Sequence, residues 1–376
     1  MQVLMGTARA GIKPSGKKDL LVVFFEKPVL VSAVYTKNHF KAAPVIYSKG
    51  LTDKRKLFRA FVVNSGNANC GTGKEGLKHA QMMAQRVAQN LDIKPEEVLV
   101  FSTGLIGALL PIGKVLVGID RACSELKLLN LREAAETIST TDRFPKYSQK
   151  EYAFGFGKGA GMIHPNMGTM LAYIFTPAKL NFNALREIHS RVTEKTFNSI
   201  TVDGCTSTND SFLLISLGEE EIPVEKVEKD TFEVAEAISK LIVADGEGAT
   251  KIGVIKIVNA VSEEKAKALA ERVATSLLVK TALFGCDPNW GRIAQAVGSL
   301  PQYPVDPDRL DIYIGNYPLL VDGTPTNTNL EEVAQYMRKN KEIPIMVDLK
   351  EGHQSWTYYT SDLTYDYVKL NAEYTT

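Results

Sequence analysis

The stretch GKGAGMIHPNMGTML, Gly157 to Leu171, decides how the rest of the chain is read. Three glycines frame Lys158, a His-Pro-Asn turn follows, and Thr169 stands just ahead of an apolar run. Gly155-x-Gly157-x-x-Ala160 has the spacing of a dinucleotide fingerprint. Such a loop must open into a helix whose N-terminus receives the pyrophosphate, and Pro165 with Asn166 interrupts any helix within two turns. A Walker-type phosphate loop is also absent, because Lys158 is followed by glycine. Nucleotide binding is set aside.

A cut site is the second chemical reading. Threonine is a poor nucleophile until a base takes its proton, and one available base is its own α-amine, which exists only after cleavage in front of it. That amine has an ordinary pKa of about 7.7–8.0, so much of it is free base near neutrality. Attack of the Thr169 hydroxyl on the preceding carbonyl is unobstructed when that residue is Gly168, which has no Cβ. On residue chemistry alone the plainer reading, a turn glycine leading into a strand, is the stronger one.

Around this stretch lies a chain of 376 residues, 44% hydrophobic and 23% charged, the composition of a soluble globular protein with room for about two or three structural units. Lys+Arg 44 against Asp+Glu 43 gives no basic excess, so bulk charge offers nothing to a nucleic-acid partner. No apolar run reaches the length of a membrane span, and the N-terminal MQVLMGTARAGIKPSGKKDL has no signal-type pattern. The expectation is cytoplasmic, without membrane or nucleic-acid partners. Cys70, Cys123, Cys205 and Cys286 lie far apart with no CxxC and no histidine at ligand spacing, so no metal site is expected. Cys70 and Cys205 sit in polar turns, but ordinary reduced thiols are the better reading.

Apolar runs predict strands at Leu20–Phe25, Val29–Tyr35, Arg59–Val63, Val98–Phe101, Met170–Thr176, Ser211–Ser216 and Gly253–Val258. Helical spacing predicts Lys74–Leu91, Phe182–Thr196, Thr231–Ala244, Glu263–Thr275 (capped by Ser262) and Leu330–Asn340. Strands come singly and in groups between helices, which is an α+β layered protein rather than a strict βαβ array. TTDRFPKYSQKEY, Thr140 to Tyr152, is polar, carries Pro145 and reads as a surface linker. Five polar clusters stand beside predicted elements: NSGNANCGTG, STGLIG, TVDGCTSTND, DGEGATK and CDPNWGRI, the last opening a helix. Small residues at strand ends let backbone N–H groups approach a ligand, so together they point to a site assembled from several loops.

The chain as a whole resembles the ornithine acetyltransferase family, also called the arginine-biosynthesis bifunctional family. GKGAGMIHPNMGTMLAYI, GIKPSGKKDL, KAAPVIYSK, VVNSGNANCGTG, STGLIG, TFNSITVDGCTSTNDSF, DGEGATK, LVKTALFGCDPNWGRI and SDLTYDYVKLNAEY are similar to family blocks and stand in family order. The resemblance implies a layered mixed-sheet sandwich of the self-processing N-terminal-threonine acetyltransferase type. It implies cleavage at Gly168–Thr169 into an α chain, 1–168, and a β chain, 169–376, with a C-terminal subdomain from about residue 277, assembled as an α2β2 heterotetramer. Thr169 would carry acetyl from N2-acetylornithine to glutamate in a ping-pong cycle. Thr103 and Gly104 match the oxyanion hole. Lys158, one of Thr140 and Thr141, Glu247, Asn371 and Thr376 match substrate-binding positions, and Thr169 itself belongs with them. No tightly bound cofactor is implied, with acetyl-CoA an optional co-substrate that no residue here decides. The sequence departs from the family at Gly168, where alanine is more usual, and at Cys205, where aspartate is. Two rivals stay open: an N-terminal-threonine amidohydrolase of aminopeptidase type with water as acceptor, and an uncleaved amino-acid-binding protein.

Overall fold

The computed structural model describes residues 2–164 and 170–373. Gly168 and Thr169 of the predicted cleavage point, and Thr376 of the predicted binding set, lie outside the described residues. Two compact units divide the chain. Among the described residues, the first takes those up to Asn198 together with Cys205–Ile242, and the second takes Ser199–Gly204 and 243–373.

The first unit is built on a nine-stranded mixed sheet. Its strands are β1 (Val3–Ala8), β2 (Leu20–Tyr35), β3 (Leu57–Asn67), β4 (Val98–Leu105), β5 (Lys127–Leu128), β6 (Lys146–Gln149), β7 (Phe154–Lys158), β8 (Leu171–Ala178) and β9 (Ser211–Glu220). The order is β4-β3-β2-β9-β8-β7-β6, with β1 beside β2 and β5 beside β1. β3–β4 and β8–β9 are parallel, and the other neighbouring pairs are antiparallel. Alternation along the strands fills both faces. Leu20, Val22, Val62 and Val100 pack with Ala80, Met83, Val87, Val115 and Ile119 of the helices Gly73–Leu91 and Ile112–Ser124. Leu21, Val23, Phe61, Val63 and Phe101 point the other way, among Phe156, Tyr173, Phe175 and Ile138. Phe61 and Tyr173 stack there at 4.5 Å between ring centroids, across strands that the chain keeps far apart.

Two expectations are corrected. The runs Leu20–Phe25 and Val29–Tyr35 form one strand, not two. A register shift against β3 between Phe24 and Val29 absorbs Pro28, the kind of irregularity where a strand tolerates proline. The stretch Thr140–Tyr152 is not a linker: it contains β6, and the side chains of Asp142 and Lys146 inside it are fully buried.

The second unit has a seven-stranded sheet. Ile252–Ala260 lies between Glu342–Asp348, parallel to it, and Gln354–Ser361, antiparallel. Asp311–Ile314 pairs with Glu342–Asp348 on the far side of the latter. The helix Glu263–Ala274 buries Ala266, Leu269, Ala270 and Val273 on this sheet, with the Ser262 side chain accepting from the Lys265 N–H as its N-cap. Helix prediction also holds at Trp290–Val297, which Asn289 caps, so CDPNWGRI is a helix start. Among the described residues, no helix is long and apolar enough to cross a membrane.

Candidate active site

Three of the polar clusters meet in the first unit. Asn209 donates to Ala68 O at 2.7 Å and Ser102 O at 2.8 Å, tying TVDGCTSTND to the ends of β3 and β4. Ser102 donates to Asn64 Oδ1 at 2.5 Å, and Asn64 donates to Asn67 O at 2.8 Å. These buried side chains hold the C-terminal ends of two parallel strands while their backbones leave sheet geometry. Gly104 is where this happens. Its φ is +128°, and a Cβ there would stand 2.3 Å from the carbonyl carbon of Gly66 and 2.5 Å from Asn67 N, so only glycine fits.

Beside it, Lys158 closes β7. Its ammonium donates to Thr140 Oγ1 at 2.8 Å and Thr103 Oγ1 at 3.2 Å. Of the two threonine candidates, Thr140 therefore joins the site, whereas Thr141 is exposed. Register sets Lys158 opposite Leu171, two residues after Thr169 in the chain. Predicted residues Thr103, Gly104, Thr140 and Lys158 thus converge on one edge of the first unit.

Sequence reasoning missed Asp142. Its Oδ1 accepts from Lys146 Nζ and from Gly159 N, both at 2.7 Å, and its Oδ2 accepts from Thr140 N at 2.9 Å with Lys158 Nζ at 3.9 Å. Burial alone would push this carboxyl up, but Lys158 and Lys146 hold it well below the usual carboxylate range. Asp142 thereby orders both Thr140, the acceptor of Lys158, and the backbone that follows Lys158. The only local signal was an acidic residue four positions ahead of a lysine in a stretch that looked solvated.

Asp210 is a second buried carboxyl that the sequence did not single out. Burial raises it well above the usual range, against the opposing pull of Lys158, the Met170 N–H and the Ser207 and Thr36 side chains. It ends the TVDGCTSTND cluster where Ser211 N donates to Met170 O at 3.0 Å.

The remaining predicted pair lies in the second unit. Asn371, in the helix Tyr365–Glu373, donates to Glu247 Oε2 at 3.0 Å and to Tyr367 O at 3.1 Å. DGEGATK is held to the start of that helix by Thr364, whose hydroxyl donates to Gly248 O at 2.8 Å, and by Asp362, which accepts from Thr250 N and Lys251 N. Two residues far apart in sequence, each matched to substrate binding, are neighbours.

Chemically, the first-unit cluster offers a hydroxyl and a backbone N–H at Thr103–Gly104 and an ammonium at Lys158, which suits a developing oxyanion next to a carboxylate-bearing substrate. A model of the ArgJ family matches residues 4–376. The arginine biosynthesis bifunctional protein ArgJ of Aquifex aeolicus is 57% identical over 379 residues, covering all of both chains. That of Thermus thermophilus is 44% identical, covering 99% of this chain and 97% of its own. In structure, the arginine biosynthesis bifunctional protein argJ of Bacillus halodurans is similar over 55% of this chain and 100% of that one, with a TM-score of 0.53 and 36% identity.

Proposed function

The chain belongs to the ArgJ family, and from that premise we propose that it is an arginine-biosynthesis acetyltransferase that moves acetyl from N2-acetylornithine to glutamate through Thr169. The Thr169 hydroxyl attacks the acetyl carbonyl while the free α-amine of the same residue takes its proton. Negative charge collects on the carbonyl oxygen, where the Thr103 hydroxyl and the Gly104 N–H stabilise it. Ornithine leaves with the proton, and the glutamate amine attacks the acetyl ester through the same oxyanion, returning Thr169 to its free form. Lys158 meets substrate carboxylate and orients the Thr103 hydroxyl, and by the family match alone Glu247, Asn371 and Thr376 are further substrate-binding positions.

The observation that carries this reading is the convergence of Thr103, Thr140 and Lys158 beside Gly104, three positions that the family resemblance names and one, Thr140, from the pair that it left open. Self-cleavage at Gly168–Thr169, an α2β2 assembly, a cytoplasmic setting and the use of acetyl-CoA as a second donor belong to the same proposal and are supported by family membership.

Denaturing mass spectrometry and a coupled assay test it together. Two chains, 1–168 and 169–376, and ornithine release that depends on glutamate are expected, with Thr169→Ala giving one inactive chain. A full-length active protein would refute the free-amine mechanism, and deacetylation indifferent to glutamate would favour a hydrolase. CoA release from acetyl-CoA and glutamate decides the second donor.

A further inference from the structure

The pairing of β3 with β4 loses its regularity at the proposed oxyanion hole. Asn64, Ser65 and Gly66 face Ser102, Thr103 and Gly104 one to one, but Asn67 stands opposite both Thr103 and Leu105. Regular contact returns where Ala68 N donates to Leu105 O at 2.9 Å. Gly104 therefore lies in a bulge-like irregularity, the kind of place where a strand re-aims its backbone beside a site. The ladder is interrupted at such a point, so the strand pair alone does not fix the direction of the Gly104 N–H. A group from outside the pair has to hold it.

Asn209 is placed to do so. Its side-chain amide donates to Ser102 O at 2.8 Å and to Ala68 O at 2.7 Å, one carbonyl from each strand and one on either side of the irregularity. Both hydrogens of the NH2 group are thereby used, and the amide oxygen accepts from the Thr208 hydroxyl at 2.6 Å. A flipped amide would set its oxygen against two carbonyls, so only one orientation satisfies all three partners. Asn209 is buried, and the segment that presents it is pinned on both sides. Ala42 N donates to Thr208 O, Thr36 N to Asp210 O and Ser211 N to Met170 O, each at 3.0 Å.

Ser102 O belongs to the peptide that joins Ser102 to Thr103. Holding that carbonyl fixes the plane from which the Thr103 hydroxyl and, one residue later, the Gly104 N–H project. The amide bonds to the backbone beside these two groups and not to the groups themselves.

We propose that Asn209 is the positioning residue of the oxyanion hole, bracing the β3–β4 irregularity so that Thr103 and Gly104 keep one direction. The assignment rests on the acetyl-transfer reading of those two residues. With the cut proposed above, Asn209 would lie on the later chain and Thr103 and Gly104 on the earlier, so the hole would take its shape only from the two together.

The test is rapid-mixing measurement of ornithine release from N2-acetylornithine without glutamate. The burst amplitude counts sites that can be acetylated, and the burst rate reports the acetylation step. Asn209→Ala should slow the burst per site by about ten- to a hundredfold, because an oxyanion exists only beyond the ground state. The substrate concentration that gives half the maximal rate should move by less than about threefold. A purely structural Asn209 would lower the amplitude and leave the rate per site at the wild-type value, and that result overturns the assignment. In Gly104→Ala, where the N–H is already displaced, adding Asn209→Ala should cost less than about threefold, whereas a fully multiplicative loss overturns it. If Asn209→Ala does not fold or process itself, the milder Thr208→Val releases the amide oxygen and should slow the burst by about threefold or more, and a wild-type rate there overturns the assignment. A wild type with no burst would instead sink the acetyl-transfer reading, and this assignment with it.

Discussion

Replacing Asp142 by asparagine is the most informative single change outside the reacting groups. Each carboxylate oxygen serves two donors: Lys146 Nζ and Gly159 N at Oδ1, Thr140 N and the more distant Lys158 Nζ at Oδ2. Asparagine shaped into the same space keeps one acceptor oxygen and turns an NH2 group toward the other pair of donors. If the oxygen stays with Lys146 and Gly159, the amide faces the Thr140 N–H, a donor against a donor in a site with no exposed side-chain surface. Loss of one charge-assisted hydrogen bond is worth about 1.5–3 kcal/mol. Removing the carboxylate charge beside the buried Lys146 ammonium brings the expected total to about 3–5 kcal/mol. Urea unfolding at pH 7 reads this directly. Acetyl transfer should fall as well, mainly through KM, because Thr140 and Lys158 lose their common support. The double variant Asp142→Asn, Lys146→Met removes both buried charges and should regain part of the stability while leaving KM high. A single variant within about 1 kcal/mol of wild type, or a double variant less stable than the single, would refute the account of a buried ion pair that positions the site.

Three further outcomes follow from the same geometry. Thr140→Ala should lower kcat/KM for N2-acetylornithine about tenfold by removing an acceptor from buried Lys158, whereas Thr141→Ala, at an exposed position, should stay within about twofold. Gly104→Ala forces a Cβ against the Gly66 backbone at φ +128° and should cut kcat about a hundredfold by displacing the oxyanion N–H, measured by single-turnover ornithine release. His189, buried against Ser32 and Phe212, is held down to about 3 by burial, so it stays neutral in the folded state. The unfolded state takes up a proton near pH 6.5, so stability present above that pH is lost as pH falls toward 3. This amounts to about 2 kcal/mol at pH 5, a loss that His189→Gln should remove from the difference between urea curves at pH 7.5 and pH 5.

Local patterns made the central strands legible, because alternating apolar residues such as Leu20 to Val23 fill two faces at once. They also placed the helices with clear caps, as at Ser262. They failed where polarity is satisfied by distant partners. Asp142 looked solvated because its partners besides Lys146 and Thr140, namely Lys158 and Gly159, come from the far side of a hairpin that only folding closes. Pro28 looked like a break because a register shift is a property of two strands and not of one. Thr140 and Thr141 could not be separated in sequence, since adjacent residues differ only in which way the backbone turns them.

The order of the first sheet gives the proposed cut an unusual topology. Strands β8 and β9, which would belong to the later chain, sit side by side between β2 and β7, which would belong to the earlier one. The fragments would be interleaved like the fingers of two hands, joined along two separate hydrogen-bonded seams, and neither could withdraw without opening both. A single precursor threads this arrangement while its strands are still tethered, which makes folding first order in protein. Once cut and denatured, the same sheet could be rebuilt only by two chains meeting, so recovery after unfolding should become second order in concentration. The scission would thus convert an ordinary folding problem into an assembly problem, and the order of events, fold and then cut, would be written into the strand order itself.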